Sequence, residues 1–158
     1  MNFDPDIADV VRRIRGFDDL DDARVSALAS VSSLRSVAEG AFFYEEDEES
    51  YDVFFIVSGI VGIRSRLPSS ADEDSELITL RSGNLFGVLS FLDGARRDLN
   101  AVARERTLVL LMDGSRLKNA CDADPTLGRA VYSLLGATAS RRARDVAMEL
   151  RNVLAERG

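Results

Sequence analysis

The 158-residue chain has no histidine and a single cysteine, Cys121. Histidine is the side chain that most often serves as a general base near neutral pH and as a metal ligand, so its absence excludes catalytic triads and ordinary zinc sites. One cysteine forms neither an intrachain disulfide nor a thiolate cluster, which leaves packing alone to stabilise the fold. Long apolar runs are lacking as well: Val53 to Val57 and Thr107 to Met112 fall far short of the roughly 20 residues that span a bilayer. Met1 is followed by charged residues instead of a basic and then apolar leader, which predicts a cytoplasmic protein without a membrane partner. Positive charge is scarce, with 20 Lys+Arg against 27 Asp+Glu, and the formal net charge of −7 repels a nucleic-acid backbone. The arginines between Arg141 and Arg151 are interleaved with Asp145 and Glu149, which partly cancel them, so no DNA binding is expected.

What is present is the composition of one folded domain, 46% hydrophobic and 30% charged, in a chain long enough to bury a real core. Asp4, Pro5 and Asp6 read as a helix start before the apolar positions Ile7, Val10, Val11 and Ile14, and Gly16 as its end. Asp21 caps a second short helix with Val25, Leu28 and Ala29 on its buried face. From Leu34 to Met112, apolar segments of about five residues recur between Gly, Asn, Asp or acidic turns, the rhythm of an all-β roll or barrel. The strands expected are Leu34 to Ala38, Ala41 to Tyr44, Val53 to Ser58, Ile60 to Arg66, Glu76 to Leu80, Asn84 to Phe86, Leu99 to Arg104 and Thr107 to Met112. The acidic stretches Glu45 to Asp52 and Asp72 to Glu76 read as solvated turns that blunt strand edges. Glu45 and Asp47, the one pair that could be posed as acid and base, fall in such a turn, so no catalytic residue, metal site or cofactor is assigned.

Beyond Gly114, a short helix is expected from Arg116 to Cys121, and Asp124-Pro125 opens a helix running to about Glu156. Its apolar positions Leu127, Val131, Leu134, Leu135, Val146, Leu150, Val153 and Leu154 recur at three and four residues. Arg141, Arg142 and Arg144 interrupt them, so the helix bends there or its face changes partner. Self-association through this helix into a homodimer is expected, because one small roll does not cover its length, and Gly136, Ala137 and Ala139 permit close approach. The organisation is thus a helical leader over 1–33, a β-roll over 34–113 and C-terminal helices over 114–158 forming the dimerisation element, all in one domain.

The stretch from Phe17 to about Leu135 resembles the cyclic-nucleotide-binding domain family, which includes catabolite activator proteins, protein kinase A regulatory subunits and gating domains of ion channels. The resemblance rests on Val53-Phe54-Phe55-Ile56-Val57-Ser58-Gly59, an apolar strand ending in a Ser-Gly turn, followed by Ile60-Val61-Gly62-Ile63. It rests also on Ile78-Thr79-Leu80-Arg81-Ser82-Gly83-Asn84-Leu85-Phe86-Gly87, a strand, a glycine turn and then Phe-Gly. It implies a mainly β fold with flanking helices, a double-stranded β-roll or jelly roll with short N-terminal helices and a long C-terminal one. It further implies a phosphate-binding cassette over 86–103, in which amides at a helix start and one arginine hold a cyclic phosphate.

By that resemblance, Phe86, Gly87, Val88, Leu89 and Ser90 open the cassette, Arg97 stands at the arginine position and Arg96 beside it. Two positions depart from the pattern. Val88 replaces the glutamate that accepts a bond from the ribose 2′-hydroxyl, a loss of roughly 1–3 kcal/mol if the hydroxyl is left unpaired. Asp98 follows the arginine where a small residue is usual, and opposes phosphate if it faces the pocket or neutralises Arg96 or Arg97 if it does not. Read without the resemblance, Arg97 is a surface arginine on a loop, paired with Asp93 or Asp98. Tyr132, Thr138, Ser140, Arg141 and Arg142 are available on the last helix as a lid, or as ordinary solvent or dimer-face residues.

Two functions follow as expectations. One is a stand-alone regulatory sensor, not an enzyme, with a cyclic mononucleotide as its likeliest class of ligand and output through the last helix or an unidentified protein effector. The other is a ligand-free interaction and dimerisation adaptor that keeps the fold with a disabled pocket. A further small anionic ligand in the same cavity stays open at this point.

Overall fold

Carboxylates at the expected caps start the first two helices. In α1 (Ile7–Arg13) the Asp6 side chain accepts a hydrogen bond from the Ala8 amide, and in α2 (Asp22–Ser30) Asp21 accepts one from the Arg24 amide. α1 ends at Ile14, ahead of Gly16, whose φ of +108° turns the chain. The computed structural model describes residues 6–65 and 76–158. Asp4, Pro5, Arg66 and the acidic stretch from Asp72 to Ser75 lie outside the described residues.

Eight strands follow: β1 (Ser32–Val37), β2 (Phe42–Tyr44), β3 (Val53–Ser58), β4 (Ile60–Arg64), β5 (Glu76–Arg81), β6 (Leu85–Phe86), β7 (Asn100–Ala103) and β8 (Thr107–Met112). They form two four-stranded antiparallel sheets, ordered β1-β8-β3-β6 and β2-β7-β4-β5. This is the β-roll with flanking helices that the sequence predicts. The differences are at element ends. β1 starts two residues earlier than Leu34, and β6 starts at Leu85 because the Asn84 side chain accepts from the Arg81 amide and closes the preceding turn. β3 and β4 meet at Gly59, at φ +108°, where a Cβ would fall 2.7 Å from the Thr107 Cα, so no other residue fits that turn.

The uninterrupted apolar runs of β3 and β8 have one cause: their sheet is covered on both faces. Phe54, Ile56, Val109 and Leu111 point between the sheets into a core with Tyr44, Val61, Leu80 and Phe86. Val53, Phe55, Leu110 and Met112 point the other way, onto a second core made with α1, α2 and the C-terminal helices. Alternation therefore shows as a change of core and not as a change of polarity.

Three helices complete the fold, the cassette helix α3 (Val88–Asp93), α4 (Gly114–Ala123) and α5 (Pro125–Glu156). α4 begins two residues before the expected Arg116, since Asp113 accepts from the Arg116 amide and Asp52 Oδ1 accepts from the Gly114 amide. In α5 Asp124 accepts from the Thr126 and Leu127 amides, with Pro125 in the first turn. Its 32 residues run as one helix through Arg141, Arg142 and Arg144, about 48 Å at the helical rise. The arginines mark the point where the apolar face loses its cover. Leu127, Val131 and Leu135 are buried on the roll, whereas Val146, Leu150, Val153 and Leu154 are exposed. Among the described residues no helix is long and apolar enough to cross a membrane.

Cys121 of α4 is buried in the helical core, and burial, with Asp122 and Asp124 adding to it, pushes its thiol up to about 11 from 9.0. A thiol that ionises later in the fold than in the unfolded chain stabilises fully below pH 9.0, and that contribution is lost as pH rises to about 11. Urea unfolding is expected to show stability falling across this window, with a shallower fall in Cys121→Ala. An identical fall in both proteins would assign it to other groups.

Candidate functional site

The site is built where β6 hands over to α3. Phe86 stacks on Phe54 of β3 at 4.7 Å between centroids and 8° between planes, with Phe43 edge-on to both at 5.2 and 5.7 Å. That aromatic cluster fixes the end of β6, and Gly87 follows in the left-handed region at φ +76°. A Cβ on Gly87 would fall 2.6 Å from the Asp52 carbonyl oxygen and 3.0 Å from Arg97 Nη1, so glycine is what lets the cassette backbone approach β3.

Arg97 fills the space this approach creates. It is 3% exposed, not a surface loop residue, and it pairs with neither Asp93 nor Asp98. Nη1 donates to the Gly87 carbonyl at 2.8 Å, and Nη2 donates to the Asp52 carbonyl at 2.7 Å and Ser50 Oγ at 3.2 Å. Its central carbon lies 4.0 Å from the centroid of the Tyr44 ring, a cation–π contact. Its backbone is tied too: its amide donates to the Glu48 carbonyl at 3.0 Å, and its carbonyl accepts from the Asp47 amide at 2.7 Å. Arg97 Nε is buried and meets no acceptor among the described residues. A buried donor left unpaired costs about 1–3 kcal/mol, and more when charged.

The electrostatics match this picture. Burial lowers the Arg97 pKa from its ordinary value, opposed by Tyr44, Asp52 and Glu48. Burial raises that of Tyr44, opposed by Arg97, Arg142 and the Gly87 amide. The acidic turn from Glu45 to Asp52 is therefore more than a solvated turn: its backbone, with Asp47 at φ +70°, and its Ser50 hydroxyl hold the arginine. Tyr44, Ser50 and Asp52 are the site residues that sequence reasoning missed. The acidic composition of the turn hid them, because Asp52 serves the arginine through its carbonyl and not its carboxylate.

The remaining cassette residues do not converge on Arg97. Val88 is buried in the core shared with the helices, so it is no partner for a ligand hydroxyl in the roll. Leu89 is 59% exposed, and Ser90 is buried with its carbonyl accepting from the Gly94 amide. Arg96 is exposed and donates to the Asp47 carbonyl at 3.0 Å, which makes it a brace on the turn and not a substitute for Arg97. Asp98 is exposed and makes no hydrogen bond or ion pair among the described residues, so it neither neutralises Arg97 nor faces it.

Among the lid residues, Arg142 reaches from α5 to donate to the Leu85 carbonyl at 2.8 Å. Burial lowers its pKa, with Tyr44 and Asp145 opposing. Thr138 is buried and donates to the Leu134 carbonyl within its own helix. Tyr132 stacks on Phe91 of α3 at 5.7 Å and so couples α5 to the cassette helix. A cleft of about 1040 Å³ opens between α5, the end of α1 and the β5–β6 turn. Its lining includes Thr138 and Arg142 but no residue of 86–98. No group of three or more His, Cys, Asp or Glu among the described residues is placed to hold a metal ion.

Comparison with known proteins gives this geometry its relatives. The chain is 30% identical over 105 residues to the Pycsar effector protein PaPycTIR of Pseudomonas aeruginosa, covering 66% of this chain and 32% of that protein. The chain spans about a third of the length of the curated relatives it matches. Among solved structures, a cyclic nucleotide-binding domain from Methylobacillus flagellatus superposes with a TM-score of 0.77 at 20% identity, over 93% of this chain and 82% of that one. The catabolite activator protein of Thermus thermophilus gives 0.66 at 25% identity, over 87% and 62%. The family model described as the cyclic nucleotide-binding domain matches residues 34–124, which contain the roll, Gly87, Arg97 and their carbonyl partners. More than half of the chain is covered by that match, and the chain belongs to the cyclic nucleotide-binding domain family.

Proposed function

We propose that this domain is a regulatory sensor whose ligand is a cyclic mononucleotide, held through its phosphate at Arg97 and signalling through α5. The observation that carries the reading is the buried Nε–H of Arg97, charged, fixed in direction by three other hydrogen bonds and lacking an acceptor. An anionic oxygen placed there gains a charge-assisted bond without reorganising the arginine. Structural relatives bound to cyclic nucleotides, among them a Toxoplasma gondii protein kinase A regulatory domain solved with cAMP, support this class of ligand.

Signalling follows from the contact between α5 and β6. Arg142 and Tyr132 fasten α5 to Leu85 and Phe91, on either side of Gly87, so a ligand that displaces Tyr44 or Arg142 shifts the position of α5 by as much as it prefers one position over the other. The output surface is the uncovered apolar seam of α5, which we assign to a homodimer, with a protein effector reading its state. Nothing in this scheme requires catalysis.

The second reading, a ligand-free adaptor, is favoured by the Tyr44 ring lying against Arg97. Calorimetric titration with cyclic AMP, GMP, CMP and UMP separates the two. The sensor predicts micromolar binding to at least one of them, weakened about a hundredfold in Arg97→Ala and less in Arg97→Lys, which keeps the charge and loses the fork. No heat and no thermal shift at millimolar ligand would remove these nucleotides as ligands and favour the adaptor.

A further inference from the structure

We infer that the cleft between α5 and the β5–β6 turn is a second anion site, separate from Arg97 and suited to an organic phosphate that carries an apolar ring or chain. Four arginines line it. Arg13 ends α1, Arg15 lies in the turn after it, and Arg141 and Arg142 come from the middle of α5. Among the described residues none of the four makes an ion pair. In a chain with seven more acidic than basic residues, four arginines against the two carboxylates of Asp145 and Glu149 around one cleft are a local reversal of charge.

Asp145 and Glu149 lie in the same lining, and leave the positive charge in excess. Arg142 is half-buried and Arg13, Arg15 and Arg141 are exposed at the rim, so their like charges repel across the mouth of the cleft under solvent screening, and a bound anion relieves that repulsion. Arginine in particular offers planar, two-pronged recognition of phosphate oxygens.

The apolar part of the ligand is indicated by the same walls. Ile14, Leu80 and Leu134 line the cleft, and Leu77 on β5 is 52% exposed at its edge. About 1040 Å³ lies just above the usual range for small-molecule sites, with room for a body beyond one phosphate. Arg142 stands between this cleft and the Leu85 carbonyl, so occupancy here bears directly on the fastening of α5.

The test uses 1-naphthyl phosphate as probe and inorganic phosphate as the comparison, titrated into the whole chain and followed by NMR of the arginine Nε–H signals. The expected result is saturable binding of the aromatic phosphate, about tenfold tighter than inorganic phosphate. The variant Arg13→Gln/Arg141→Gln should weaken it by about tenfold or more, and Arg97→Lys should leave it within about twofold. Both glutamine positions are exposed and unpaired, so the fold is retained. Sedimentation with phosphatidic acid vesicles, in the same variants, separates a lipid headgroup from a free phosphate. No saturable binding of either probe at about 10 mM, or loss of binding in Arg97→Lys and not in the glutamine variant, would overturn the second site.

Discussion

Replacing Gly87 with alanine is expected to destabilise the domain by about 2–5 kcal/mol and to abolish ligand binding. Two costs combine. Gly87 sits at φ +76°, where a side chain costs roughly 1–2 kcal/mol. Its Cβ would also meet the Asp52 carbonyl at 2.6 Å and Arg97 Nη1 at 3.0 Å, and overpacking of that kind costs a further 1–3 kcal/mol or so. Gly94 supplies the control, since it has φ +73° and open space where its Cβ would stand. Gly94→Ala should therefore show the backbone strain alone. Urea denaturation of both variants reads the difference, and equal losses would mean that the close approach of β3 to the cassette does not matter.

The second large effect concerns the free half of α5. Ala143, Val146, Leu150 and Val153 follow one another at spacings of three, four and three, the repeat of a coiled-coil seam. Leu150 and Val153 are 57% and 41% exposed in the single chain, and the roll ends before it reaches them. A seam of this kind is stable only when a second helix covers it. Light scattering should therefore give twice the 17.3 kDa of the chain, and Leu150→Glu/Val153→Glu should return the mass to that of one chain. The roll should stay folded in the variant, because Leu127, Val131 and Leu135 hold α5 to it independently of the seam. A wild-type protein that is a monomer at every concentration would remove the homodimer from the account, and a variant that stays a dimer would remove this seam as its interface.

Much of the fold is legible in the chain because local signals and tertiary contacts agree. Asp21 and Asp124 cap the helices they precede, and Gly59 and Gly83 mark turns that need a positive φ. The runs Val53 to Val57 and Thr107 to Met112 mark the two central strands of a sheet buried on both faces. The site is less legible. Gly87 and Arg97 are found by their place in a pattern, but Ser50 and Asp52 act through a hydroxyl and a backbone carbonyl, which leave no trace in residue type.

Val88 misleads for a related reason. Its identity is plain, yet the turn at Gly87 decides which way it faces, and that turn sends it into the helical core. Asp98 misleads through charge, since one residue's displacement along the chain separates a buried guanidinium from an exposed carboxylate.

The central claim is that Arg97 Nε–H waits for an anionic oxygen. The most direct measurement is the proton and nitrogen NMR signal of that group, identified by its loss in Arg97→Lys and followed as a cyclic mononucleotide is added. The account predicts a saturable downfield shift and slower solvent exchange as the bond forms, at the concentrations where calorimetry shows binding. An Nε–H signal that stays in place while ligand saturates, or while millimolar ligand fails to bind at all, would contradict it.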